Sequence, residues 1–547
     1  MTSGLDNRNL TQSYWPLDDS APLVEHTLGS LLRERAEQNP TATAIVGAAH
    51  GTGEQRRLTY RELHEEASRV AAALLELADP GDFVALWAPN IIEWPIILFG
   101  AAIAGVTLVA LNPVLRRHEL AYALQHCNAT VLIHADSSRG YDMTAVAAGI
   151  ESECPSLRQV VSLTETARWR SALPLESGRA GPSADDASAP VMLQYTSGTT
   201  GLPKGVLLRH RSLINVARLT MEAIETPPHG VTVNPLPMFH TASCVIGTLG
   251  TLWMGGTMVL IEQFTPAGVL DALRREAASV LFYVPTILGA VLEAARTDDQ
   301  PAPRLVRVLG GGANVPGTMI EATEKLFGAT VHNLYGQTEL SPVLTLTRTT
   351  DSPEDLVRTS GRPLPQVEVK IVDPLDGGIV PVGESGEICA RGYQQMIEYI
   401  HNPQATTAAV DSDGWLHTGD LGSFDSRGVL TITGRLKDLI IRGGENIAPA
   451  EVESCLIAHN DVLEATVLGL PDDKWGEVVA AVIVPREPHS PGLRQALVQH
   501  ATSRLSPYKI PQSWYLADGA LPSTPSGKVQ KFALRAEIVG GRFPVLD

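Results

Sequence analysis

Short β-branched runs alternating with amphipathic helices fill roughly the first 340 residues, and this alternation constrains the fold more than any other feature. Strand candidates are Phe83–Trp87, Thr107–Leu111, Thr130–His134, Met192–Thr196, Thr257–Ile261, Val280–Val284 and Thr330–Leu334. The clearest helix among them begins at Thr59. Glu62, three residues on, completes a capping box, and Leu63, Ala67, Val70 and Leu74 share one face. Another follows Thr265-Pro266 with Leu270 and Leu273 inward. Strands regularly separated by helices predict an α/β fold with largely parallel sheets.

After residue 345 the pattern turns strand-rich, with Val367–Val372, Gly386–Ala390 and Val429–Thr433 punctuated by Gly and Asp. From Ala448 the alternation returns on a smaller scale: Pro449 opens one helix, and Ser490-Pro491 another with Leu493, Leu497 and Leu505 inward. Residues 171–190, rich in Ser, Ala, Gly and Pro, read as a surface loop. No internal repeat is visible. A chain of 547 residues exceeds one domain, so at least two are expected.

The uncharged run from Pro95 to Leu115 is long enough to suggest a membrane span, but Gly100, Gly105 and Asn112 interrupt it. A buried helix running into a buried strand is the expectation, with no integral membrane segment. The N-terminus lacks a basic stretch followed by an apolar one, so no secretory signal is read there. Five dispersed cysteines with no CxxC pair suit a reducing compartment and exclude a zinc ribbon, and the protein is expected to be soluble and cytoplasmic. The 42 Lys+Arg against 60 Asp+Glu give a net charge of -18, which argues against nucleic acid as a partner. A small phosphate pocket inside an acidic protein is still compatible with it.

One stretch looks built for phosphate: Tyr195-Thr-Ser-Gly-Thr-Thr-Gly-Leu-Pro-Lys204-Gly-Val206. Here Thr196, Ser197, Gly198, Thr199, Thr200 and Gly201 offer backbone N–H groups and hydroxyls, and Lys204 adds a cation. It is not a Walker A loop, and on composition alone a Gly/Thr turn between strands fits as well. Other motifs follow in order: Pro237-Met-Phe-His-Thr241, Gly310-Gly-Gly-Ala313, Tyr335-Gly-Gln-Thr-Glu339 and Gly386-Glu-Ile-Cys-Ala-Arg-Gly392. Then come Trp415-Leu-His-Thr-Gly-Asp420, Gly434-Arg-Leu-Lys-Asp438, Arg442-Gly-Gly-Glu-Asn446 and Pro525-Ser-Gly-Lys-Val529.

In these motifs the sequence resembles the acyl-adenylate-forming superfamily of acyl- and aryl-CoA synthetases, peptide-synthetase adenylation domains and beetle luciferases. The resemblance runs over essentially the whole chain. It implies a large N-terminal AMP-binding domain of packed α/β sheets with a small β-rich subdomain, residues 1–436. A small, mobile α+β C-terminal lid, residues 437–547, would follow. It also implies ATP, Mg²⁺ and coenzyme A.

By the same resemblance the nucleotide is met by residues 196–201, Lys204, Gly311, Gly312, Ala313, Asn333, Tyr335, Gly336, Gln337 and Thr338. Tyr335 would stack on adenine, Thr338 would bond the α-phosphate and Glu339 would hold magnesium. Asp420 would accept the ribose hydroxyls with Arg435 beside it. Lys528 would reach between the substrate carboxylate and the α-phosphate, where one anion attacks another. His240 is either a gate of the acyl pocket or a core histidine. Lys437 would be the hinge, and Gly443 and Gly444 would border the pantetheine tunnel.

The candidate acyl lining is His240, Ser243, Cys244, Val245, Tyr283, Val284, Thr286, Gly312 and Leu340. It lacks the acid that peptide-synthetase adenylation domains aim at an α-ammonium group. The expected substrate is therefore a fatty, alicyclic or aryl carboxylic acid. The expected reaction is formation of acyl-AMP with release of pyrophosphate, then transfer to coenzyme A. A stand-alone adenylating enzyme that loads an acyl-carrier protein or hands the acyl-adenylate to a partner is the alternative, and a non-catalytic nucleotide-binding relative is a third. A homodimer is among the anticipated assemblies.

Overall fold

The computed structural model describes residues 8–166, 185–196, 203–312, 315–442, 445–472, 474–487, 492–517, 519, 521–523 and 529–546. It is a mixed α/β protein in two compact units. The larger comprises Trp15–Val369 and Ala390–Leu416, and the smaller Met1–Tyr14, Lys370–Cys389 and His417–Asp547.

Two sheets organise the larger unit. The nine-stranded sheet has a parallel centre in the spatial order Thr330–Tyr335, Arg307–Gly311, Val280–Tyr283, Val231–Asn234, Thr257–Leu260 and Thr43–Ala48. Antiparallel strands Thr345–Leu346 and Arg362–Pro363 extend one side, and Gln55–Thr59 the other. The seven-stranded sheet places Pro190–Thr196, Thr107–Leu111, Phe83–Trp87, Val131–His134 and Gln159–Ser162 parallel. Its remaining strands, Lys204–Arg209 and Glu398–Tyr399, are antiparallel. The strands anticipated from β-branched runs are present, with ends shifted by a residue or two.

The long uncharged run resolves as its glycines demand. Helix Glu93–Ala104 is apolar on all sides and buried at all but one position, as expected of a helix inside a core. It stops at Gly105 (φ 75°), and strand Thr107–Leu111 follows. A Cβ on Gly100 would fall 2.5 Å from Val70 Cγ1, so glycine here lets the helix close onto Tyr60–Leu74. That second helix starts with its capping box in place: Glu62 N donates to Thr59 Oγ1 at 3.2 Å, and Thr59 N to Glu62 Oε2 at 2.8 Å. No described helix is long and apolar enough to cross a membrane.

In the smaller unit, Val462–Asp472 and Gly476–Pro485 form a long antiparallel pair, joined by Ser513–Leu516, Ile440–Arg442 and Glu445–Ile447. Alternation sorts this sheet's side chains. Val479, Ala481 and Ile483 face Val452, Leu456 and Leu497 of helices Pro449–Ile457 and Leu493–Thr502, while Val478, Ala480 and Val482 face Leu534 and Ile538 of helix Lys531–Val539. Leu505 lies past the helix it was expected to occupy: the chain turns at Ser503, and Leu505 N returns to Ala501 O at 2.8 Å. Ser490, Pro491 and most of the expected 171–190 loop lie outside the described residues. All five cysteines are buried, reduced thiols.

Candidate active site

Candidate residues collect at the carboxyl ends of three adjacent parallel strands, the edge at which open α/β sheets place ligands. Tyr283, Gly310 and Asn333 are register partners across Val280–Tyr283, Arg307–Gly311 and Thr330–Tyr335. With no side chain at Gly310, the Tyr283 hydroxyl reaches over it and donates to Asn333 Oδ1 at 2.6 Å. A Cβ at Gly310 would stand 2.1 Å from the Tyr283 carbonyl oxygen and 2.6 Å from its ring, and one at Gly311 2.3 Å from Leu334 O. The protein's own backbone and ring thus demand the first two glycines. Gly312 differs: it is exposed, left-handed (φ 79°), and among the described residues nothing lies within 4 Å of where its Cβ would be. The neighbouring Ala313 lies outside the described residues.

Tyr335, Gly336, Gln337 and Thr338 leave the end of the next strand half-buried, and a 3₁₀ turn Thr338–Leu340 follows. Gly336 is fixed by packing, since a Cβ would meet Pro342 O at 1.9 Å. The turn carries Glu339 inward to 9% exposure, where its Oε1 accepts the Tyr399 hydroxyl at 2.7 Å. Burial, and then the Glu339 charge, push the Tyr399 phenol above its ordinary pKa, so it remains a donor. Over the ring of Tyr399 lies the Lys204 ammonium, 4.6 Å from the centroid. Tyr399, which the sequence did not single out, therefore joins the phosphate stretch to the Tyr335–Glu339 motif.

The phosphate stretch closes an antiparallel pair rather than opening a helix: Thr196 is in register with Lys204. Helix Arg117–Cys127 braces both flanks. Tyr195 Oη donates to Ala123 O at 2.8 Å before the loop, and Tyr122 Oη to Pro203 O at 3.0 Å after it. Ser197, Gly198, Thr199, Thr200 and Gly201 themselves lie outside the described residues, as do Lys528, Gly443 and Gly444.

The Pro237–Thr241 stretch is held by two side chains that sequence reasoning missed. Asn90 Oδ1 accepts from Met238 N at 2.8 Å while its Nδ2 donates to Leu236 O at 2.8 Å, and Gln194 Oε1 accepts from Thr241 N at 3.2 Å. Half-buried His240 packs on Phe239, ring centroids 4.3 Å apart, and its carbonyl accepts from Ser243 and Cys244 N at the start of a nine-residue π-helix, Ala242–Gly250. Within that helix Ser243 and Cys244 are fully buried. Ser243 Oγ donates to Leu236 O at 2.9 Å, and Gln194 Nε2 lies 3.4 Å from Cys244 Sγ. Val245 and Leu340 are likewise fully buried, whereas Val284 is half-buried and Thr286 exposed at the start of helix Pro285–Thr297.

In the smaller unit Asp420 and Arg435 are register partners on strands Leu416–Phe424 and Leu430–Arg435, with Arg435 Nε 3.2 Å from Asp420 Oδ1. Lys437 sits in the short 3₁₀ turn Leu436–Asp438 just after. Desolvation, then the Arg435 charge, hold its ammonium below the usual lysine range.

Residues 32–400 match the AMP-binding enzyme family, and residues 451–528 match the AMP-binding enzyme C-terminal domain. The chain belongs to the AMP-binding enzymes. Among similar members of the family, the 3-[(3aS,4S,7aS)-7a-methyl-1,5-dioxo-octahydro-1H-inden-4-yl]propanoyl:CoA ligase of Rhodococcus jostii is 35% identical, over 91% of this chain and 99% of its own. The mitochondrial medium-chain acyl-CoA ligase ACSF2 of Bos taurus is 32% identical, over 94% of this chain and 88% of its own. Among solved structures, the anthranilate CoA ligase AuaEII in complex with anthranoyl-AMP superposes with a TM-score of 0.83 at 26% identity, covering 95% of this chain and 99% of that one. This AMP-binding enzyme is an AMP-forming acyl-CoA ligase that uses ATP and coenzyme A.

Proposed function

We propose that this ligase takes an apolar carboxylic acid, of the fatty, alicyclic or aryl class, and that its own residues divide the work as follows. The acid's oxygen attacks the α-phosphorus of ATP, the bond to pyrophosphate breaks, and acyl-AMP results. The thiol of coenzyme A then attacks the acyl carbon, loses its proton, and AMP leaves. Lys528 stabilises the charge that builds between carboxylate and phosphate in the first step. Tyr335 and Thr338 position the nucleotide, Asp420 and Arg435 its ribose, and residues 196–201 with Lys204 its phosphates.

Glu339 would hold magnesium: one buried carboxylate, with phosphate oxygens completing the shell, is the donor set that ion prefers. When bound, the ion neutralises charge on the transferring phosphates. Lys437, which lies inside the smaller unit, would be the hinge about which residues 437–547 turn as a lid between the half-reactions. A cytoplasmic location and a small-molecule acceptor, rather than a carrier protein, complete the reading.

The observation that carries it is the meeting of Gly312, the Tyr335–Thr338 stretch and buried Glu339 at one strand-end edge, with Tyr399 linking Glu339 to Lys204. The apolar substrate class is supported by the acids named for the relatives and by the absence of a carboxylate in 239–250. ATP–pyrophosphate exchange with a panel of fatty, alicyclic, aryl and amino acids tests it, with product acyl-CoA measured by mass. Exchange with apolar acids, reduced at least about a hundredfold in Lys528→Ala, is expected. Exchange with amino acids alone, or a Lys528→Ala variant at wild-type rate, overturns the assignment concerned.

A further inference from the structure

Strands Gly386–Gly392 and Leu416–Phe424 are neighbours in one sheet, and in the smaller unit they carry three side chains that take no part in the reaction above. Glu387 and Cys389, two residues apart, share a face of the first strand, and His417 stands on the second. His417 Nδ1 lies 2.8 Å from Glu387 Oε2 and 3.4 Å from Cys389 Sγ. One atom of each residue falls within 4.8 Å of the other two. Glu387 and Cys389 are buried, while the His417 side chain is 33% exposed and opens the cluster to solvent.

A single ring nitrogen thus faces an oxygen and a sulfur together. A proton on that nitrogen points along one of the two directions, whereas a cation between them serves both. Around a tetrahedral zinc ion, with bonds of about 2.3 Å to sulfur and about 2.0–2.2 Å to nitrogen and oxygen, sulfur and nitrogen stand roughly 3.5 Å apart and nitrogen and oxygen roughly 3.4 Å. The sulfur–nitrogen spacing is already met, and the carboxylate has to draw back by about half an ångström. Thiolate, imidazole and carboxylate select a soft or borderline cation over magnesium or calcium.

We propose that Glu387, Cys389 and His417 form a site for a thiophilic divalent cation of the zinc class, with water as the fourth ligand on the His417 side. On binding, the Cys389 thiol releases its proton and a metal–sulfur bond forms in its place. The site is coupled to the nucleotide through the backbone. Glu387 Oε1 accepts from Gly419 N at 3.1 Å, and Asp420 is the next residue. A cation that pushes the Glu387 carboxylate back from His417 therefore shifts the strand segment that carries Asp420, so occupancy regulates how the ribose carboxylate is presented.

Chelator-treated full-length protein titrated with Co²⁺ as a spectroscopic probe tests the site. About one equivalent is expected, with a thiolate-to-cobalt charge-transfer band that Zn²⁺ displaces. Cys389→Ser should abolish the band, and His417→Gln should weaken binding by at least about tenfold, while thermal unfolding in chelator shows both variants folded. Absence of the band from wild type, or its persistence at full strength in Cys389→Ser, overturns the proposal. Should Cys389→Ser not fold, an unchanged Co²⁺ affinity in His417→Gln overturns it equally.

Discussion

Tyr399 does two separable things with two parts of one side chain: its hydroxyl donates to Glu339, and its ring lies under the Lys204 ammonium. Tyr399→Phe removes the first and keeps the second. A hydrogen bond to a charged group is worth about 1.5–3 kcal/mol, so this variant should need roughly ten- to a hundredfold more Mg²⁺ for half-maximal exchange. KM for the acid should stay put, and Mn²⁺ binding followed by electron paramagnetic resonance should weaken in parallel. Tyr399→Leu should raise KM for ATP as well. If Phe and wild type share one Mg²⁺ dependence, the hydroxyl has no bearing on the metal carboxylate. The three glycines before Ala313 part company in the same way. Gly311→Ala, whose Cβ would meet Leu334 O at 2.3 Å, should lose about 1–3 kcal/mol or more in denaturant titrations. Gly312→Ala has open space and carries the strain of a left-handed backbone, about 1–2 kcal/mol, so it should fold yet bind ATP poorly. Residue order revealed the motifs, but it gave no hint of Tyr399, which sits on a two-residue strand with no periodicity to betray it.

Among the elements, the pair of helices joined at Gly100 and Val70 is the tightest test of packing. Gly100→Ala would press a methyl within 2.5 Å of Val70 Cγ1, and a loss of about 1–3 kcal/mol is expected by denaturant unfolding. Val70→Ala in the same chain should recover part of it. Helices and strands of this fold were largely legible because hydrophobic period and caps agree: Thr59 and Glu62 announce one helix, and Thr265-Pro266 another whose Thr265 Oγ1 accepts from Gly268 N at 3.1 Å. The π-helix Ala242–Gly250 was not legible. Its residues are uncharged throughout, and its close approach to a neighbouring strand rests on a glycine, since a Cβ on Gly247 would fall 2.4 Å from Asn234 Nδ2. The pocket assignments of Ser243 and Cys244 rested on order in the chain alone, and order does not report that both are buried and tied to neighbouring strands.

Across the whole molecule, acid should act through histidines buried as neutral rings. His210 Nδ1 accepts from Leu28 N at 3.1 Å, and burial lowers its pKa to about 3; His332 is lowered to about 3 by burial and then by Arg307. Above about pH 6.5 both are neutral whether folded or unfolded and add no pH dependence. Between about pH 6.5 and 3 the unfolded chain takes up protons that the folded one refuses, so stability falls with falling pH. At pH 5 each should cost about 2 kcal/mol. Denaturant midpoints at pH 7 and 5 should separate in wild type and draw together in His332→Gln. A difference as large in the variant as in wild type would remove this histidine from the account.

The parallel pairing of Ile45 with Met258 and Val46 with Val259 has a temporal consequence. The strand Thr43–Ala48 is made early, and its parallel neighbour emerges more than 200 residues later. At a synthesis rate of about 5–20 residues per second, that strand waits roughly 10–40 s on the ribosome with one edge unmatched. Throughout that interval its hairpin partner Gln55–Thr59 covers the opposite edge, and the row Ala44, Ile45 and Val46 awaits its cover. Newborn chains should therefore be most prone to aggregate before residue 260 has left the exit tunnel.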